Sequence, residues 1–228
     1  MTDPPALSRR ERPAKPALTR EGIVEATLHL VDQHGMEQVS LRRVAQALDT
    51  GPASLYVYVA DRQELFALVH DRVLAEVELP TDADGDWRAR LTLLLDRTIT
   101  ALGRHGGIAA VALGEVPTGP HFLRVAEEQL RLLRTGGIDD ASCAWAIDLL
   151  GLVVTAAGLE ESVHQRGGGD EESAVTHLAE TFAAVPAATH PTLHALGPLL
   201  TAGSGEARRA WALDVLIDGL LVHSAREH

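Results

Sequence analysis

A single break constrains this chain more than any other feature: a run of helix formers stops at Asp49-Thr50-Gly51 and restarts at once with Pro52. Before the break, Leu41, Val44, Ala45 and Leu48 recur at i, i+3, i+4 and i+7, one apolar stripe on a short helix. Asp, Thr and Gly are poor helix formers, and the glycine accepts positive φ. Pro52 suits a first helical turn, where its missing N–H would have no partner. A second short helix, roughly Pro52 to Tyr58, must leave at a sharp angle. Two short helices joined by a tight glycine-containing turn form a helix-turn-helix, a device that places a helix in the DNA major groove.

On the second helix Leu55 and Val59, with Pro52 beside them, fall on the side that covers the preceding stripe. Ala53 and Val57 fall opposite, flanked by Ser54 and Tyr56, with Tyr58 near the edge. Such a face can turn a small apolar tip to thymine methyls and its hydroxyls to phosphates or bases. The alternative is a helical corner whose aromatics pack on a neighbouring domain. Arg42 and Arg43 stand off the apolar stripe, as phosphate contacts, a guanine contact for Arg42, or solvated surface. Asp61 and Glu64 form a D-x-x-E start for the next helix, which puts Arg62 in a first turn where a phosphate would dock.

The segment Leu18 to Phe66 resembles the DNA-binding domain of the tetracycline-repressor (TetR) family of bacterial regulators. The marks are Ile23, Ala26, Leu30 and Gly35 in an opening helix, then SLRRVAQAL, SLYVYV and D-R-x-E-L-F. The chain departs from the family at Asp49-Thr50-Gly51, where Gly-Val-Ser or similar is usual. The resemblance implies an N-terminal three-helix head (18–62), contacting an operator through Arg42, Arg43, Gly51, Pro52, Ala53, Ser54, Tyr56, Val57, Tyr58 and Arg62. It also implies a larger helical-bundle domain (63–228) for ligand binding and dimerisation, joined by a fourth helix that transmits ligand binding to the head.

Charge is divided to match. Residues 1–62 carry eight basic and eight acidic side chains, so the whole net charge of −12 belongs to residues 63–228. That acidity would be held away from phosphate. Residues 1–17 are Pro- and Arg-rich without periodicity, a flexible basic arm that either tracks DNA or is a leader without a role. The single Cys143 excludes an intrachain disulfide and sits in an alanine-rich helical stretch, which favours inert burial. No apolar run is read as long enough to cross a bilayer, and a cytoplasmic protein without a membrane partner is expected.

Beyond residue 86 the pattern is helical throughout: about 87–104, 107–113, 118–135, 139–166, 171–184 and 206–226. The fourth helix should run from the head to Pro80, about 18 residues or ~27 Å. From Ala141 to Leu159 only Asp148 is charged, so that helix must be covered on every side. The last helix is similar, and two such helices from each of two copies would make a four-helix interface. The alternative is that both are interior helices of a monomer.

Segment 87–166 resembles, more weakly, the ligand-binding domain of the tetracycline repressors, through Trp87, the Ala112–Pro117 turn, Leu159-Glu160 and His164-Gln165. Where those repressors place a histidine that binds magnesium–tetracycline, this chain has Ala112, so no metal-chelating route and no tetracycline are implied. Leu94, Thr98, Glu115, Phe122, Gln129, Trp145 and Asp148 are the candidate pocket residues by position. Eleven histidines are scattered; His190 and His194 have i, i+4 spacing, but Pro191 makes a poor helix and no third ligand adjoins. Neither a cofactor nor an enzymatic motif is read. The sequence therefore predicts an all-α, homodimeric DNA-binding regulator released from a pseudo-palindromic operator by a small molecule. A helical carrier or protein-interaction module, not acting through DNA, is the alternative.

Overall fold

The computed structural model describes residues 17–114, 117–167 and 171–224, and every regular element among them is helical. The expected arm at 1–17 therefore lies, all but Ala17, outside the described residues.

The chain opens with α1 (Arg20–His34), whose N terminus is capped by Thr19 accepting from Gly22 N. Gly35, at φ 84°, ends it. A 3₁₀ turn (Met36–Gln38) leads to α2 (Leu41–Ala47), capped by Ser40, and α3 (Pro52–Leu55) follows. The helix α4 (Arg62–Leu74) starts at an Asp61 cap. Ile23, Thr27, Val31, Val44, Leu55, Leu65 and Val69 are all fully or almost fully buried and form the floor of this head.

Then come α5 (Trp87–Arg104), α6 (Val111–Gly114), α7 (Pro120–Thr135), α8 (Asp140–Gly167), α9 (Glu171–Ala183), α10 (Pro191–Leu200) and α11 (Gly205–Ser224). The helices α5 and α8 pack along one another, with α7 and the 3₁₀ turn Ile108–Ala110 against them. Close approach is enabled by Gly158, where a Cβ would meet Leu102 Cβ at 2.9 Å. Arg209 ties α11 to this body through Asp96 and Glu161, and Arg88 adds Asp214 and Asp218. The helix α4 touches α1 on one side and α5, α6 and α7 on the other.

Four elements differ from the sequence reading, the first being α3, which stops at Leu55 and passes through a turn at residues 56–58 instead of running to about Tyr58. The helix α4 ends at Leu74, short of Pro80: the amides of residues 75 to 77 bond in tighter turns, and Arg124 takes the carbonyls of Leu74 and Val77. The segment read as a loop between Pro186 and Gly205 contains α10. Pro191 occupies its first turn, where no N–H is needed, and His190 stands at the N-cap. Finally, Asp140–Gln165 is long and apolar enough to cross a membrane, with a mean hydropathy of 1.7 over its most apolar stretch. The apolar excess has another use: Cys143, Ala146, Leu150 and Val154 face the core, while Trp145, Leu149, Leu152 and Val163 form an uncovered stripe.

Candidate functional site

Two features stand out: a protruding corner on the head and a cavity in the body. In the corner, the left-handed residue of the α2–α3 turn is Asp49 (φ 50°), not Gly51, which is extended at φ −83° and ψ 148°. Asp is among the few residues that tolerate this conformation. A Cβ at Gly51 would meet nothing within 4 Å. Gly51 and Pro52 instead line an open groove with Arg42, Gln46, Asp49 and Thr50.

Leu55 and Val59 are buried on the inner side, as the helical winding predicts. Ala53 and Ser54 are exposed, Tyr56 is 57% exposed and Val57 80% exposed. Large apolar side chains held this far out of a helical corner suit a partner surface. Arg42 is exposed, and the half-buried Arg43 donates to Gln38 O at 3.2 Å.

Tyr58 and Arg62 have work inside the head. The Tyr58 hydroxyl donates to Leu18 O at 2.7 Å, fastening the start of α1. Arg62 donates through Nε to Val39 O (3.1 Å) and through Nη2 to Met36 O (3.0 Å), and its guanidinium lies 4.4 Å from the centre of the Phe66 ring. Arg62 thus braces α4 against the loop before α2. Glu64 completes the cap, accepting from Ala60 N and pairing with Arg20.

The cavity, about 400 Å³, lies between α4, α5, α6, α7 and α8, with Ala112 in its wall. Of the expected residues, Thr98, Phe122, Gln129 and Asp148 line it. Leu94 does not: it is fully buried in the core, one turn before Thr98. Trp145 does not either, because it stands 69% exposed on the outer stripe of α8. Glu115 lies outside the described residues.

The wall is mainly apolar, with Leu74, Leu102, Val125, Ile147 and Val154. Its polar groups are His70, Thr98, Gln129, Thr155 and Asp148. Thr98 Oγ1 donates to Leu94 O at 2.7 Å and so turns its lone pairs elsewhere. His70 and Thr155 were not foreseen. The signal for His70 was its place four residues after Phe66 and four before Leu74, inside the buried stripe of α4. It is 4% exposed, and burial lowers its pKa from 6.5 to about 4, against a smaller upward pull from the Asp71 charge. Its imidazole is therefore neutral near pH 7, one nitrogen donating and the other accepting. His190 and His194 bond locally, to Thr189 Oγ1 and Val185 O. No group of three or more metal-ligating side chains converges among the described residues.

Both parts of the chain match known proteins. Residues 23–69 match the bacterial regulatory proteins of the tetR family, and residues 79–223 the tetracyclin repressor-like C-terminal domain. The chain is 39% identical over 151 residues to the HTH-type transcriptional repressor DrrR1 of Streptomyces coeruleorubidus, covering 65% of this chain and 56% of that protein. It is 30% identical to an HTH-type transcriptional regulator of Saccharopolyspora erythraea, over 76% of this chain and 74% of that one. The Streptomyces coelicolor TetR family protein ActR, in complex with actinorhodin, superimposes with a TM-score of 0.83 at 34% identity, covering 93% of this chain and all of that one. With both of its segments matched, the chain belongs to the TetR family of bacterial transcriptional regulators, which are not enzymes.

Proposed function

We propose that this protein is a cytoplasmic, homodimeric repressor that leaves its operator when a planar, largely apolar molecule enters the cavity between α4, α5, α6, α7 and α8. One observation carries the reading: α4 begins under the protruding corner at Arg62 and ends in the cavity wall, which it shares through His70 and Leu74. A ligand that displaces α4 necessarily displaces the head. Such a molecule acts as an effector only if it binds the DNA-released arrangement more tightly.

The cavity falls in the usual size range for small-molecule sites, with few polar groups among many apolar ones. A polycyclic aromatic compound carrying a few hydroxyl or carbonyl groups meets those groups: His70 and Gln129 can each donate or accept. Support for that class comes from ActR, solved with actinorhodin and with (S)-DNPA.

Exposed Ala53, Ser54, Tyr56 and Val57, with Arg42, Gly51 and Pro52 at the groove and Arg43 beside Arg42 on α2, make the DNA-facing surface. Two copies would set these corners into successive major grooves about 34–36 Å apart. The uncovered apolar stripes of α8 (Trp145, Leu149, Leu152) and α11 (Trp211, Val215, Val222) supply the surface for pairing the copies.

The test is titration of the purified protein against DNA upstream of its own gene, with and without actinorhodin as a first probe. Tight, salt-dependent binding that Tyr56→Ala weakens at least tenfold is expected, given the size of base-contact losses. Replacing contacted thymines by deoxyuridine should weaken binding if Ala53 and Val57 read methyl groups. Binding to that DNA no tighter than to unrelated DNA, at every salt concentration, would sink the reading.

A further inference from the structure

The helices α4 and α7 cap one another. From α4, the Asp71 carboxylate accepts from His121 N at 3.1 Å and Phe122 N at 2.9 Å, two of the amides at the start of α7 that have no partner within that helix. From α7, Arg124 Nη2 donates to Leu74 O at 3.1 Å, which also accepts from Val77 N, and to Val77 O at 2.7 Å in the turn that follows α4. Each helix therefore supplies the charge that the other's terminus favours, an anion at the N-terminal end and a cation at the C-terminal end. Gly119 makes room for this: a Cβ there would lie 2.1 Å from the Asp71 carboxylate.

The same two helices line the cavity, α4 through His70 and Leu74 and α7 through Phe122, Val125 and Gln129. Beside the packing of α4 on α5 and α6, these polar contacts tie the last turn of α4 and the turn after it to the start of α7. We infer that Asp71 and Arg124 are positioning residues that lock α4 to α7, so that the placement of the DNA-binding head is set by the helix lining the cavity. The inference rests on the regulator reading and names the part that makes it respond.

Half-site spacing tests it without any effector. A duplex is first selected by the wild-type protein from random DNA, and a second is made with one base pair inserted between its half-sites. Rigidly held heads should bind the lengthened duplex about a hundredfold more weakly, because the second half-site is rotated and shifted. In Asp71→Ala, Arg124→Met and Gly119→Ala that ratio should shrink to about tenfold or less, as freed heads follow the displaced site. Asp71→Asn keeps an oxygen acceptor for both amides and should keep the wild-type ratio. General destabilisation would weaken both duplexes alike and leave the ratio unmoved. Should Asp71→Ala fail to fold, Arg124→Met and Gly119→Ala carry the same measurement. An unchanged ratio in the folded variants overturns the clamp; a wild type that selects no duplex overturns the regulator reading beneath it.

Discussion

At the scale of single residues, His70 is the cavity side chain whose chemistry its surroundings change. Its folded pKa of about 4 lies below the ordinary 6.5, so below 6.5 the unfolded chain binds a proton that the folded chain refuses. The stability attached to this neutrality is full above about pH 6.5 and is lost as pH falls towards 4. By this linkage, between pH 7 and 4.5 the wild type should lose about 2–3 kcal/mol more than His70→Gln, measured by urea unfolding at both values. Equal losses would show that His70 titrates normally. Tyr56 and Arg62 make a contrasting pair. Tyr56→Ala touches an exposed ring and should leave Tm nearly unchanged while weakening DNA binding. Arg62→Ala strips two carbonyls of a charged donor and should cost about 1–3 kcal/mol of stability, read by the same unfolding experiment. The sequence showed that both residues belong to the corner. It could not show that Arg62 bonds to Val39 O and Met36 O, because those carbonyls belong to residues more than twenty positions earlier.

At the scale of elements, legibility followed how local the cause was. Thr19, Ser40 and Asp61 cap helices through atoms three residues away, and the D-x-x-E signature at Asp61 marks the start of α4 in the sequence. The end of α4 is set less locally: the chain tightens into i→i−3 turns after Leu74, and Arg124, some fifty residues on, braces that turn through Leu74 O and Val77 O. The turn of the head was placed correctly but assigned to the wrong residue: Asp49 takes the left-handed conformation. With nothing near its missing Cβ, Gly51→Ala should change Tm by no more than a degree or two, since it strains no backbone. The apolar length of α8 was visible in sequence, but its division into a core side and an uncovered side was not. Leu152→Glu together with Trp211→Glu should yield a folded monomer in sedimentation experiments, with helical circular dichroism retained. A dimer that persists would mean the copies meet elsewhere.

At the scale of the whole molecule, the separation of charge matters most. The head and arm are neutral overall while the rest carries −12, so only one end of the protein can approach a polyanion. If Arg42 meets phosphate in both copies, Arg42→Ala should reduce the slope of log K against log salt by about 2, nearly one unit per lost contact. An unchanged slope would take Arg42 off the phosphates. The all-helical class, the corner at residues 49 to 52 and the polarity of the charge are legible from the amino acids alone, because each depends on neighbours within a turn or two, or on composition. The tertiary structure decided which side chains meet in the cavity, why Trp145 and Leu94 do not, and how α4 is held. Those outcomes depend on which faces of distant helices come together, and helical periodicity fixes a face without saying what will lie against it.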